Sequence, residues 1–205
     1  MFPNILNDDQ KAILPFIKSF AKEFYLVGGT AIALQIGHRQ SIDFDLFRLK
    51  SFQKTKIVAR LKEFGFSYTL LYSSQDSFHI VVNDVKITFF QYPFKVPTKL
   101  HFEGIPMPDL LGLAAMKAYA LGRRSKWKDY VDLYFLIKYH FDIPTISDAA
   151  YAIFDELFSP KLFRQQLCYF KGIDYTEEVS FVKFEVSETE IKDFLVEIAT
   201  DFVQK

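Results

Sequence analysis

The sequence predicts an α/β (α+β) protein: a mixed sheet flanked by helices, followed by a mainly helical second half. Three observations carry this. Short apolar runs with strand-like spacing alternate with helical patterns up to Tyr92. Four prolines then fall within residues 93–108, a turn-rich break. Beyond Pro108 the segments are rich in good helix formers. The division read from this is 1–104 for the mixed core and 105–205 for the helical domain.

In order, residues 7–23 (NDDQKAILPFIKSFAKE) read as an amphipathic opening helix that is interrupted or restarts near Pro15. FYLV, 24–27, is a buried strand with Gly28 and Gly29 as its exit, and TAIALQI, 30–36, is a short helix. Residues 37–41 turn into the strand SIDFDLFRL, 41–49. QKTKIVARLKEFGF is a helix closed by Gly65. SYTLLYS and SFHIVV are strands, and Asn83-Asp84 offers a hairpin turn into VKITFFQY. Residues 109–122, 128–140, 146–158 and 187–202 are helices, and 159–170 adds a short one.

Composition excludes several classes. No run of eighteen apolar residues exists, so no membrane partner is expected, and the opening MFPNILNDDQ lacks the pattern of a secretory signal. The single cysteine, Cys168, cannot form an internal disulfide, which fits the cytoplasm as the expected location. Basic and acidic residues balance at 25 each, which argues against binding nucleic acid by global charge. Local patches survive that balance: Lys50, Lys54, Lys56, Arg60 and Lys62 read as a solvated helix face, while Lys117, Arg123, Arg124, Lys126 and Lys128 form a second cluster. His38, His79, His101 and His140 are scattered without metal-ligand spacing and read as structural or surface residues.

The stretch GGTAIALQIGHRQSIDFDLF, 28–47, carries the chemistry. Strand residues two apart project from one face, so Asp43 and Asp45 stand side by side, away from Ile42, Phe44 and Leu46. Two neighbouring carboxylates repel unless positive charge compensates, and hard Mg²⁺ suits them when phosphate oxygens complete its shell. The alternative is two aspartates on the wet side of a half-buried strand. A strand ending in Gly-Gly before a helix can present N–H groups to phosphate, although a plain tight turn has the same spelling. Together the motifs suggest chemistry at phosphorus.

VGGTAIALQIGHRQSIDFDLF, VKITFFQYPF and DLLGLAAMKAYALGRRSKWKDYVDLYFL together resemble the AbiEii/AbiGii toxin family of DNA polymerase β-like nucleotidyltransferases, across about residues 20–140. The resemblance implies a metal-dependent enzyme that moves a nucleotide from an NTP to an acceptor, such as RNA, with Mg²⁺ or Mn²⁺ as cofactor. It further implies the toxin-like part of a type IV toxin-antitoxin or abortive-infection system, with a separately encoded antitoxin. It implies Asp43 and Asp45 as catalytic metal ligands, and Gly28, Gly29, Thr30, Arg39 and Ser41 around the nucleotide. Lys117, Arg124, Lys128, Asp129, Asp132 and Leu133 match its third motif, making Lys117 and Asp132 catalytic candidates and Arg124, Lys126 and Lys128 nucleotide-binding ones. Asp129 and Asp132 can instead orient Lys117 or the basic loop. Arg39 can meet phosphate or a nearby acid, and Ser41 can simply satisfy the strand entrance. Lys117 to Lys128 is one helix carrying a basic stripe, or two helices broken at Gly122. Tyr92 and Trp127 are read as packing residues rather than base-stacking ones.

One position departs from the family. A third acid is expected on the strand VKITFF, and the matching residue is Thr88, which is neither a carboxylate ligand nor a strong base. Asp84 is about 13 Å away along the strand unless the turn folds it back, and Glu103 is conceivable but lies beyond the proline-rich boundary. The alternative function is therefore a nucleotide-binding interaction protein impaired in turnover.

Overall fold

Asn7 begins the first helix by a reciprocal cap: its side chain accepts the Gln10 N–H while the Gln10 side chain accepts the Asn7 N–H. Helix α1 (Asp8–Lys18) then runs without interruption through Pro15, which corrects the expected restart. The proline forfeits one ladder bond, and the buried face of Ile13, Phe16 and Ile17 holds the helix together regardless. The computed structural model describes residues 1–121, 123, 124 and 126–201. The chain divides into two units, Met1–Asp109 and Leu110–Lys205.

The first unit is built on a five-stranded mixed sheet, order β1-β2-β5-β4-β3, from β1 (Tyr25–Val27), β2 (Phe44–Arg48), β3 (Thr69–Ser73), β4 (Ser77–Val82) and β5 (Val85–Gln91). Only β2 and β5 run parallel, and the chain crosses between them through α3 (Lys54–Glu63) and the strands β3 and β4. Register divides the two faces. Phe44, Ile87 and Ile80 align across β2, β5 and β4, as do Leu46, Phe89 and Phe78, and all six are buried. Phe16, Phe20, Phe24 and Phe89 continue this core in edge-on pairs. The intervening rows carry Asp45, Thr88 and His79 on the opposite face.

The β4–β5 hairpin turns on Asn83 and Asp84, both at positive φ (47° and 59°), as its sequence predicts. A second hairpin was not foreseen: β6 (Leu100–Phe102) and β7 (Ile105–Met107) pair across Glu103-Gly104, again both at positive φ. A boundary at 104/105 separates β7 from the rest of this hairpin, whereas the first unit, ending at Asp109, keeps the hairpin whole.

The second unit is helical among its described residues: α4 (Leu110–Leu121), α5 (Trp127–Tyr139), α6 (Ile143–Phe154), α7 (Pro160–Leu167) and α8 (Glu188–Thr200). Asp142, Ser159 and Ser187 cap the last three. The basic stretch is thus two helices and a connection rather than one helix; Gly122, where the break was expected, lies outside the described residues. No described helix is long and apolar enough to cross a membrane.

Candidate active site

Helix α2 (Gly28–Ile36) begins directly at the glycines, which are its first turn rather than a loop before it. Gly28 has φ +75°, the left-handed region, and follows Val27, which pairs with Asp45 across β1 and β2. That pairing sets the Gly28 backbone against the Asp45 carboxylate, so closely that a Cβ on residue 28 would lie 2.2 Å from Asp45 Oδ2. At Gly29 a Cβ would lie 2.4 Å from Arg39 Nη2 and 3.1 Å from Ser41 Oγ. Neither position admits a larger residue without moving a polar side chain.

A hydroxyl network fixes the segment entering β2. Thr30 Oγ1 meets Ser41 Oγ at 2.9 Å and donates to the Asp43 carbonyl. The Ser41 carbonyl accepts from Gln10 Nε2 at 2.8 Å. Arg39 is buried beneath this turn, donating from Nη1 to the Gln40 carbonyl at 2.9 Å. Sequence placed Asp43 within a strand; β2 instead begins at Phe44, so Asp43 sits at its entrance and only Asp45 belongs to the ladder. The structure thus brings Gly28, Gly29, Thr30, Arg39, Ser41, Asp43 and Asp45 to one end of the sheet.

Thr88 pairs directly with Asp45, and His79 pairs with Thr88, making one row across three strands. His79 is half-buried. Burial first, and then the charge of Lys86, hold its pKa below the ordinary imidazole value against the pull of Asp45. Asp84 is exposed in the hairpin turn, and Glu103 pairs with Lys18 at 3.1 Å; neither belongs to the row. The donor set of Asp43, Asp45 and phosphate oxygens suits a hard divalent ion. Among the described residues no three acidic, imidazole or thiol groups converge into a cation cage.

In the second unit Lys117 is buried, its ammonium 2.8 Å from both Asp129 and Asp132. Arg124 grips the same Asp129 through Nε at 2.8 Å and Nη2 at 3.1 Å. Burial pushes the Asp129 carboxyl up, and Lys117 with Arg124 overrule it, holding it below the usual carboxylate range. Lys126 and Lys128 share Glu177, Lys128 at 3.2 Å. Burial opposes ionisation of Glu177 but the two lysines prevail, drawing its pKa down to about 2. Glu177, 51 residues from Lys126, has no local signal in sequence. Tyr92 packs on Phe47, Phe90 and Phe94, and Trp127 on Tyr130 and Tyr175, as packing residues do.

Comparison with known proteins gives concordant results. Residues 16–69 and 83–197 match the family described as nucleotidyl transferase AbiEii toxin, type IV TA system. An uncharacterized protein of Aquifex aeolicus is 33% identical over 142 residues, 66% of this chain and 68% of that one. Two crystal structures from Helicobacter pylori share the fold. One is of a protein provisionally classed as a nucleotidyltransferase (TM-score 0.53, 19% identity, 78% of this chain and 76% of that chain). The other is of JHP933 (TM-score 0.53, 19% identity, 78% and 74%). With its glycine turn docked on Asp45 and matched segments spanning most of its length, the chain belongs to the AbiEii nucleotidyltransferase toxin family.

Proposed function

We propose that the protein is a metal-dependent nucleotidyltransferase that moves a nucleotide from an NTP to an acceptor hydroxyl, with RNA as the acceptor class. It acts as the toxin of a type IV toxin-antitoxin or abortive-infection pair in the cytoplasm, with a cognate antitoxin as its partner. The observation that carries this reading is the contact of the Gly28 backbone with the Asp45 carboxylate at the start of α2. There, N–H groups of the first helical turn can receive phosphate oxygens, and the helix dipole favours that negative charge.

Asp43 and Asp45 would hold Mg²⁺ or Mn²⁺, which when bound supplies charge neutralisation for the triphosphate and the departing pyrophosphate. The chain's own contribution is orientation. Gly28 and Gly29 let the polyphosphate approach the backbone, Thr30 fixes the Asp43 carbonyl and is itself bonded to Ser41, and Arg39 stiffens the turn from beneath. In the second unit, half-exposed Arg124 with Lys126 and Lys128 are assigned to polyphosphate or RNA backbone. Lys117 and Asp132 are assigned to holding Asp129, and through it Arg124, in place.

Thr88 beside Asp45 favours a second reading, a nucleotide-binding protein without turnover. Incubation with each α-labelled NTP, Mg²⁺ or Mn²⁺ and total cellular RNA separates the two. Label on RNA that disappears in Asp43→Ala and Asp45→Asn supports transfer. NTP binding with no transfer under any of these conditions supports the second reading.

A further inference from the structure

The row Asp45, Thr88, His79 raises a question that Thr88 alone leaves open: what accepts the proton of the attacking hydroxyl. Paired residues on neighbouring strands project from the same face, and strands lie about 4.8 Å apart, so the backbones of Asp45 and His79 are about 10 Å apart on one face. A hydroxyl and an α-phosphate fit across such a gap, over the small Thr88 side chain. His79 is also positioned from its other side. The β3–β4 register shifts between Leu70 and Tyr72, so that Tyr72, and not Leu71, stands opposite His79. The Tyr72 ring meets the imidazole edge-on at 5.4 Å between centroids. The shift lies on the edge strand β3, where such an irregularity re-aims a side chain, here an aromatic toward a half-buried histidine.

We propose that His79 takes the place of the missing acid, accepting the proton from the acceptor hydroxyl across Thr88 from Asp45; this rests on the transferase reading above. In the step, the acceptor oxygen forms a bond to the α-phosphorus, the bond from that phosphorus to the β-bridging oxygen breaks, and pyrophosphate leaves with its electron pair. The hydroxyl proton passes to the imidazole and then to solvent. Burial and Lys86 favour the neutral ring, the form that can accept that proton. His79 is a catalytic residue on this account, and Tyr72 a positioning one.

The test uses the full chain in the label-transfer assay, with NTP affinity measured separately by calorimetry. His79→Gln is expected to lower kcat by about 10²–10⁴-fold while NTP affinity stays within about twofold. Thr88→Asp added to His79→Gln is expected to recover at least tenfold, because a carboxylate beside Asp45 makes the imidazole dispensable. Transfer by His79→Gln within threefold of the unsubstituted chain overturns this inference and leaves the transferase reading standing. So does an equal loss of NTP affinity and kcat that Thr88→Asp does not relieve. Absence of transfer by the unsubstituted chain removes the transferase reading and this inference together.

Discussion

Replacing Lys117 by Met separates a structural ion cluster from a dispensable surface charge. The ammonium sits between two carboxylates at 2.8 Å each, with side-chain exposure of 5% for Lys117, 2% for Asp129 and 0% for Asp132. Methionine keeps most of the stem's volume, so the loss is electrostatic rather than a cavity. Removing one partner of a buried pair costs about 3–5 kcal/mol, since the remaining charge keeps its desolvation penalty. For a chain of this size each kcal/mol moves Tm by about 2–4 °C, giving a fall of about 6–20 °C. Asp129 retains its two bonds to Arg124, and Asp132 loses its 2.8 Å contact with the ammonium. Lys117→Met combined with Asp132→Asn should therefore regain a measurable part of the lost stability. Far-ultraviolet circular dichroism melts of Lys117→Met, Asp132→Asn, the double variant and the unsubstituted chain read this directly. A single variant melting within 2 °C of the unsubstituted chain, or a double variant whose losses simply add, would refute the reasoning.

Gly28→Ala places a side chain at φ +75° and a Cβ on the Asp45 carboxylate; a fold weakened by about 1–2 kcal/mol with NTP binding and label transfer lost is expected, read by melts and the transfer assay. Thr30→Val removes the bonds to Ser41 and Asp43 and should cost about 0.5–1.5 kcal/mol per bond in urea unfolding, with weaker NTP binding. Glu177 has its folded pKa depressed from 4.5 to about 2, so its contribution is present above pH 4.5 and lost as pH falls toward 2. Urea midpoints measured from pH 6 downward should fall less steeply in Glu177→Gln than in the unsubstituted chain.

Sequence showed the elements whose causes are local. Asn83-Asp84 is legible because both residues tolerate positive φ between two strand patterns. The later helix starts are legible because Ser159 and Ser187 spell their own caps. The β6–β7 hairpin was hidden because its strands are three residues long and Pro106 stands in one of them, a residue tolerated there on a two-stranded ribbon. The glycines and Asp45 could be named, but their contact depends on Val27 pairing with Asp45, which is set by tertiary register and has no spelling in the chain. The same holds for Tyr72 against His79, since Leu70 and Leu71 give no sign of which is the extra residue. Glu177 is legible only once the chain has folded back onto Lys126 and Lys128.

The two-residue turn at Asn83-Asp84 acts as a ruler for the whole proposed reaction surface. Strand side chains alternate, so one residue inserted there would slide β5 by a single step against β4 and carry Thr88 toward the aromatic interior, with Ile87 emerging beside the aspartate. Such a change alters no group that handles nucleotide, yet it should silence the protein completely. Among homologues, the length of this tiny loop ought therefore to vary less than the identity of the residues within it.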